Sequence, residues 1–253
     1  MTIKSILRER VFNISNKKII SFCIFGDKKG KNDRNYVNGI FINYVLAKKY
    51  YPGWICRFYI DVSMDIELVN RIHNIADVEY IYLEANMNLM CMRFLVFDDP
   101  NVDIWICRDL DSILNIRERD AVYEWIQRDE SIHIMHDCGP HKGFRILAGM
   151  FGAKNRFKES IVDFFQNYIV ENNISRDNMN KYGFDCIILN SYIDKHYKED
   201  YIQHFSAGYK RENSIEFKTK SHLSKFVGFQ FKLHEEECKR ICEIENVDNL
   251  TIN

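Results

Sequence analysis

Four runs of continuous apolar, β-branched and aromatic residues, separated by stretches with helical spacing, dominate the first half of the chain and restrict it to few architectures. IISFCIF (19–25) ends at Gly26 and reads as a strand buried on both faces. Between positions 36 and 51, Val37, Ile40, Phe41, Tyr44, Val45 and Tyr51 recur at helical spacing until Pro52-Gly53 stops them. WICRFYID (54–61) is a second strand, 66–75 a short helix, VEYIYLE (78–84) a third strand, 89–97 a third helix and VDIWICRD (102–109) a fourth strand. Strands alternating with helices over short joins imply a parallel sheet with right-handed crossovers, Rossmann-like in this half.

Beyond it the pattern turns to mixed α+β. A helix is expected at 115–127, a strand SIHIMHD at 131–137, a glycine-bearing stretch ILAGMFGAK, helices near 158–172 and 185–195, and a final FVGFQF. No Pro/Gly/Ser linker or repeat divides the halves. The reading is one α/β domain over 1–253, with a Rossmann-like half of nucleotide-binding type (19–112), a mixed α+β half (113–233), a site at their seam, and a solvated helical tail (234–253).

Composition closes off other classes. With 35 basic against 36 acidic side chains there is no broad cationic field for nucleic acid. No run of 18 apolar residues exists to span a bilayer, and MTIKSILRERVFNISNKK lacks the apolar core of a secretory signal. Eight cysteines without a CxxC pair suit reduced thiols, so a cytoplasmic location is expected.

Ligands of open α/β sheets bind at the carboxyl ends of the strands, and the fourth strand ends in Arg108-Asp109-Leu110-Asp111-Ser112. In an extended turn, residues two apart project to one side, so Asp109 and Asp111 could share Mg²⁺ or Mn²⁺ and its bound phosphates. Such an ion would draw charge from a diphosphate leaving group. Spacing alone equally allows Asp109 to cap the following turn while Asp111 faces water. Phe25, Gly26 and Asp27, at the end of the first strand, are candidates to lie beneath a nucleotide base. Arg93, on the helix facing the site, could pair with the diphosphate or extend to solvent.

His133, His136, Asp137, Cys138 and His141 carry zinc-ligand chemistry, but strand alternation sends His133 and Asp137 to one face and His136 to the other. Gly149-Met150-Phe151-Gly152 lacks GxGxxG spacing and is expected instead to let sugar approach the backbone. Asp185 opens a helix after Gly183, where it could cap, hydrogen-bond sugar hydroxyls, or act as a general base.

Read in order, YYPGWICRFYID, MRFLVF, RDLDSILNIRERDAVYEW, HIMHDCGPH, ILAGMFG and FVGFQF resemble a GT-A type glycosyltransferase family of giant viruses and bacteria, over about 20–231. The motif order is also similar to glycogenin-like transferases, whose later motifs match DCIILN (185–190) and His204. The resemblance implies Asp109 and Asp111 as metal and ribose-diphosphate ligands, His204 as a third metal ligand, and Arg108 with Asp109 on the donor. It also implies His133, Asp137 and His141 on the acceptor side of the cleft, with Asp137 near the sugar. His136, Ile113, Ala148, Phe151 and Cys186 depart from the family pattern, all on the sugar and acceptor side.

The function this implies is metal-dependent transfer of a sugar from a nucleoside diphosphate sugar, UDP-sugar first, to a glycan or glycoprotein acceptor. Mn²⁺ or Mg²⁺ would be the cofactor, and Asp137 or Asp185 the base if the reaction inverts. The alternative is a non-catalytic relative that binds nucleotide or glycan.

Overall fold

The computed structural model describes residues 2–26, 34–138, 143–154, 159–206, 214–221, 223 and 225–248. In chain order it runs β1 (Thr2–Arg10), β2 (Lys17–Ile24), α1 (Arg34–Tyr50), β3 (Ile55–Asp61), α2 (Ile66–His73), β4 (Val78–Asn86), a 3₁₀ helix (Leu89–Asp98), β5 (Val102–Cys107), α3 (Ile116–Ile126) and β6 (Ile132–His136). There follow β7 (Phe151–Lys154), α4 (Ile161–Glu171), α5 (Arg176–Met179), α6 (Phe184–His196), β8 (Tyr201–Phe205), β9 (Ser214–Glu216) and α7 (Glu235–Glu245).

Among the described residues nine strands join one sheet in the order β1-β4-β3-β2-β5-β7-β6-β8-β9. β2 is parallel to both β3 and β5, and β3 to β4. β7 runs antiparallel between β5 and β6. Successive strands step outward from β2 to β4, and β5 then returns to the other side of β2. The order therefore reverses between β2 and β5, which opens a crevice beyond their carboxyl ends.

Two apolar layers sandwich the sheet. One, built on Phe22, Ile40, Leu46, Phe58, Trp125 and Ile241, lies under α1, α2, α3 and α7. The other, built on Tyr59, Phe94, Trp105, Phe151, Leu189 and Tyr192, lies under the 3₁₀ helix, α4 and α6. Far from the crevice, Lys17, Arg57, Glu79 and Asp99 form a buried ion network: Arg57 Nε donates to Glu79 at 2.6 Å and Lys17 Nζ stands 3.1 Å from it. Each buried charge there has an opposite partner.

The architecture is the mostly parallel α/β, GT-A-like fold expected, with three local differences. The charged leader, to which the sequence reading assigned no element, is a strand: Thr2–Arg10 adds antiparallel to β4 at the edge of the sheet. Alternating charge and apolarity is the signature of a half-exposed strand, and Arg10 fastens it by donating to the Val78 carbonyl at 2.9 Å. The segment after β4 is a 3₁₀ helix, which suits its nearly continuous apolar burial better than one amphipathic face. The tail helix is docked, not solvated: Cys238, Ile241 and Cys242 are buried, and Glu245 accepts from Lys49 Nζ at 2.7 Å and from Tyr50. None of the eight cysteines is in a disulfide. Among the described residues no helix is long and apolar enough to cross a membrane.

Candidate active site

The backbone at the β2–β5 crevice is tightly wired before any ligand chemistry is considered. The Arg93 carbonyl accepts from Ser21 Oγ of β2 at 2.6 Å and from Cys107 Sγ of β5 at 3.5 Å, so the 3₁₀ helix is fastened across the switch point. After β5 the chain turns, with Ser112 N donating to the Asp109 carbonyl at 3.3 Å. Buried Asn43 of α1 holds that turn: its amide donates to the Ser112 carbonyl at 2.9 Å and its oxygen accepts from Leu114 N at 3.0 Å. Gly39 permits the approach, because a β-carbon there would lie 1.9 Å from the Leu110 carbonyl oxygen.

Arg93 is the centre of the site. Its side chain is 5% exposed, and its two terminal nitrogens pair with Asp109 Oδ1 and, at 2.6 Å, with Asp185 Oδ2. Burial works against its charge, but Asp109 first, then Cys23 and Asp185, outweigh burial and hold the guanidinium well above its usual pKa. Asp185 sits in the first turn of α6, where the helix dipole also favours a carboxylate. Gly149 closes the group: a β-carbon on it would stand 1.9 Å from Asp109 Oδ2. Asn190, further along α6, grips the approach to Gly149, since its side chain accepts from Ile146 N at 3.1 Å and donates to the Ile146 carbonyl at 3.0 Å. Arg93, Asp109, Gly149 and Asp185, distant in sequence, therefore meet. Phe25 and Gly26 follow β2 directly, and Gly26 N donates to Ser63 Oγ at 2.9 Å. Asp27 and His141 lie outside the described residues.

Other expected site residues are placed elsewhere. Asp111 is 5% exposed while the Asp109 side chain is 45% exposed, because the segment turns after β5 instead of staying extended. Arg108 points into the interior, where Nε pairs with Glu118 at 3.2 Å and Nη1 donates to the Cys107 and Phe151 carbonyls. His133, fully buried and stacked on Trp125, hydrogen-bonds His204 Nδ1 at 2.8 Å; His204 Nε2 faces Glu124 at 3.6 Å. Burial keeps His133 well below the ordinary histidine pKa and lowers His204 to about 4, against the pull of Glu124. The two imidazoles face each other across the paired strands β6 and β8.

Asp137 is held by at least four donors: Arg117 Nε and Nη2 at 2.8 and 2.7 Å, Val227 N at 2.8 Å, and Ser206 Oγ. Two carboxylate oxygens so occupied have no lone pair left for an acceptor hydroxyl. The sequence reading missed Arg117 and Glu118, although both stand in the quoted RDLDSILNIRERDAVYEW string. A charged residue ending an apolar strand needs a buried partner, and Glu118, ten residues past Arg108 in the first turn of a helix, answers that need.

Among the described residues no three His, Cys, Asp or Glu side chains gather to hold a metal ion. At the crevice Asp109 is already paired and Asp111 is buried, so these residues do not form a complete Mn²⁺ or Mg²⁺ site. Asp109, together with Asp185, holds the Arg93 guanidinium instead.

No protein-family model matches the sequence, and no curated protein matches it. Solved structures match by fold. The match to an active-site mutant of LgtC covers 93% of this chain and 98% of that one, with a TM-score of 0.51 at 11% identity. The match to the 4-diphosphocytidyl-2C-methyl-D-erythritol synthase of Anaerococcus prevotii covers 92% of this chain and 96% of that one, with a TM-score of 0.47 at 10% identity. For TarS (1–349) of S. aureus the shares are 70% and 55%, with a TM-score of 0.44 at 13% identity. The likeness to LgtC establishes a common fold.

Proposed function

We propose that this chain transfers a sugar from a nucleoside diphosphate sugar, UDP-sugar first, to a glycan or glycoprotein acceptor. The observation that carries the reading is the buried Arg93 bridging Asp109 and Asp185 at the switch point of the sheet. The fold shared with LgtC supports it. The base would lie by Phe25 and Gly26, and the half-exposed Asp109 carboxylate would accept from the ribose hydroxyls. Arg93, whose terminal nitrogens are taken by Asp109 and Asp185, would hold Asp109 in place and lend positive potential to the diphosphate as the sugar leaves. Asp185 would accept from sugar hydroxyls, with Gly149 leaving room for the ring beside the backbone.

Thermal shift with UDP, GDP and their sugars, each with Mn²⁺, Mg²⁺ or EDTA, tests the binding; donor cleavage with Arg93→Met and Asp109→Asn tests the chemistry. A rise in Tm with a nucleotide sugar, and loss of cleavage in both variants, is expected. No Tm response to any nucleotide would refute the proposal. A second reading, a non-catalytic nucleotide- or glycan-binding module, is favoured by the incomplete metal donor set. It would show as binding without turnover of any donor.

A further inference from the structure

Residues 225–233 cross the carboxyl end of the sheet as a strap, and each point of contact is specific. Val227 N donates to Asp137 Oδ2 at 2.8 Å, beyond the end of β6. Gly228, at φ +79°, bends the strap so closely onto Met150 that a β-carbon would stand 2.7 Å from its sulfur. Gln230 pairs antiparallel with Ser112, and Phe231 N donates to the Asp111 carbonyl at 2.8 Å. The Leu233 carbonyl then accepts from Asn38 Nδ2 of α1 at 2.6 Å. One end of the strap thus rests on Asp137 and the middle on the carboxylate-bearing turn.

The Asp137 end is fastened by Arg117 from the first turn of α3. Arg117 donates twice to Asp137, once to Ser206 Oγ at 2.9 Å and once to the Thr219 carbonyl, and its guanidinium lies 4.3 Å over the Phe217 ring. Five chain segments, α3, the end of β6, the end of β8, the stretch after β9 and the strap, meet on this ion pair. Its two-point geometry fixes orientation as well as distance.

We propose that Arg117 and Asp137 are a latch: they seat the strap, and the seated strap holds the 109–112 turn so that Asp109 meets Arg93 and a nucleotide. They are positioning residues, not a general base and its partner. The inference rests on the reading of this turn as the donor site.

The test uses the whole chain. Backbone hydrogen exchange is followed by mass spectrometry in Arg117→Lys, which keeps the charge but loses the fork, in Asp137→Asn, and in Gly228→Ala, which displaces the strap from its other face. UDP affinity is measured by calorimetry on the same proteins. Glu79→Gln, in the distant ion network, is the control for general destabilisation. The expected result is at least tenfold faster exchange both in residues 225–233 and in residues 109–112, with at least tenfold weaker UDP binding. The control should leave both quantities near wild type. Faster exchange in the strap with wild-type exchange in the turn would overturn the proposal, as would unchanged UDP affinity with a loosened strap. Should Arg117→Lys or Asp137→Asn fail to fold, Gly228→Ala decides by the same two readouts. Absence of UDP binding in the wild type would remove the donor reading alone; the exchange coupling would still decide whether the latch acts on the turn.

Discussion

Replacing Gly149 with alanine adds one methyl group against the Asp109 carboxylate. The new carbon would sit 1.9 Å from Oδ2 and 2.5 Å from Cγ, whereas ordinary contact begins at 3.4 Å, so the carboxylate must retreat by about 1.5 Å. Gly149 is not among the positive-φ glycines, and alanine can adopt its backbone conformation. The Asp109 side chain is 45% exposed and can swing toward water. The fold therefore loses only about 1 kcal/mol, which for a chain of this size lowers Tm by about 2–4 °C. The swing does break the Asp109–Arg93 pair, and a misplacement of about 1 Å at reacting groups costs about 10²-fold in rate. UDP release from the preferred UDP-sugar, measured beside a thermal melt, should fall about 100-fold in Gly149→Ala with Tm nearly kept. Turnover within about threefold of wild type would refute the placement of Asp109 in the reaction.

Arg93→Met leaves Asp185 buried without its cation, so urea unfolding should show a loss of about 3–5 kcal/mol, and nucleotide-induced Tm shifts should vanish. Gly39→Ala drives a β-carbon into the Leu110 carbonyl, a backbone atom that cannot swing aside; a loss of about 3 kcal/mol is expected, and wild-type stability would contradict the α1 contact. Acid should weaken the fold through His204. Its neutral form is the one the interior accepts, so stability is full above the ordinary pKa of 6.5 and is lost as pH falls toward about 4, by up to about 3 kcal/mol. His133, lowered in the same direction, adds to that loss. A His204→Gln variant whose unfolding free energy has the wild-type slope between pH 6.5 and about 4 would refute this assignment.

Much of the scaffold was legible in the chain itself. Buried parallel strands need continuous apolar runs, so 19–25, 54–61, 78–84 and 102–109 announced the central strands and, with them, the end of the sheet at which ligands bind. The leader strand was not announced as clearly, because a half-exposed edge strand is as charged as a coil. Asp109, Arg93, Gly149 and Asp185 could each be nominated for its side chain or lack of one, but their meeting could not be read off. They lie on four separate elements, and only the packing of the 3₁₀ helix and α6 around the switch point brings one guanidinium between two carboxylates.

Local pattern fails where a polar residue's partner is remote in sequence. Asp111 shares the DxD spacing with Asp109 yet is buried, because Asn43 and Phe231, far away along the chain, bend and cover the turn. Asp137 carries the chemistry of a base, but Arg117, Ser206 and Val227 use up its oxygens. His133 and His204, 71 residues apart, neutralise each other's claim to a ligand role by sharing one hydrogen bond in a dry interior. Sequence determines which groups can titrate, coordinate or pair, since that is covalent chemistry. Tertiary structure decides which of those capacities is spent on the fold, since each buried charge or donor must find its partner before it can serve a ligand.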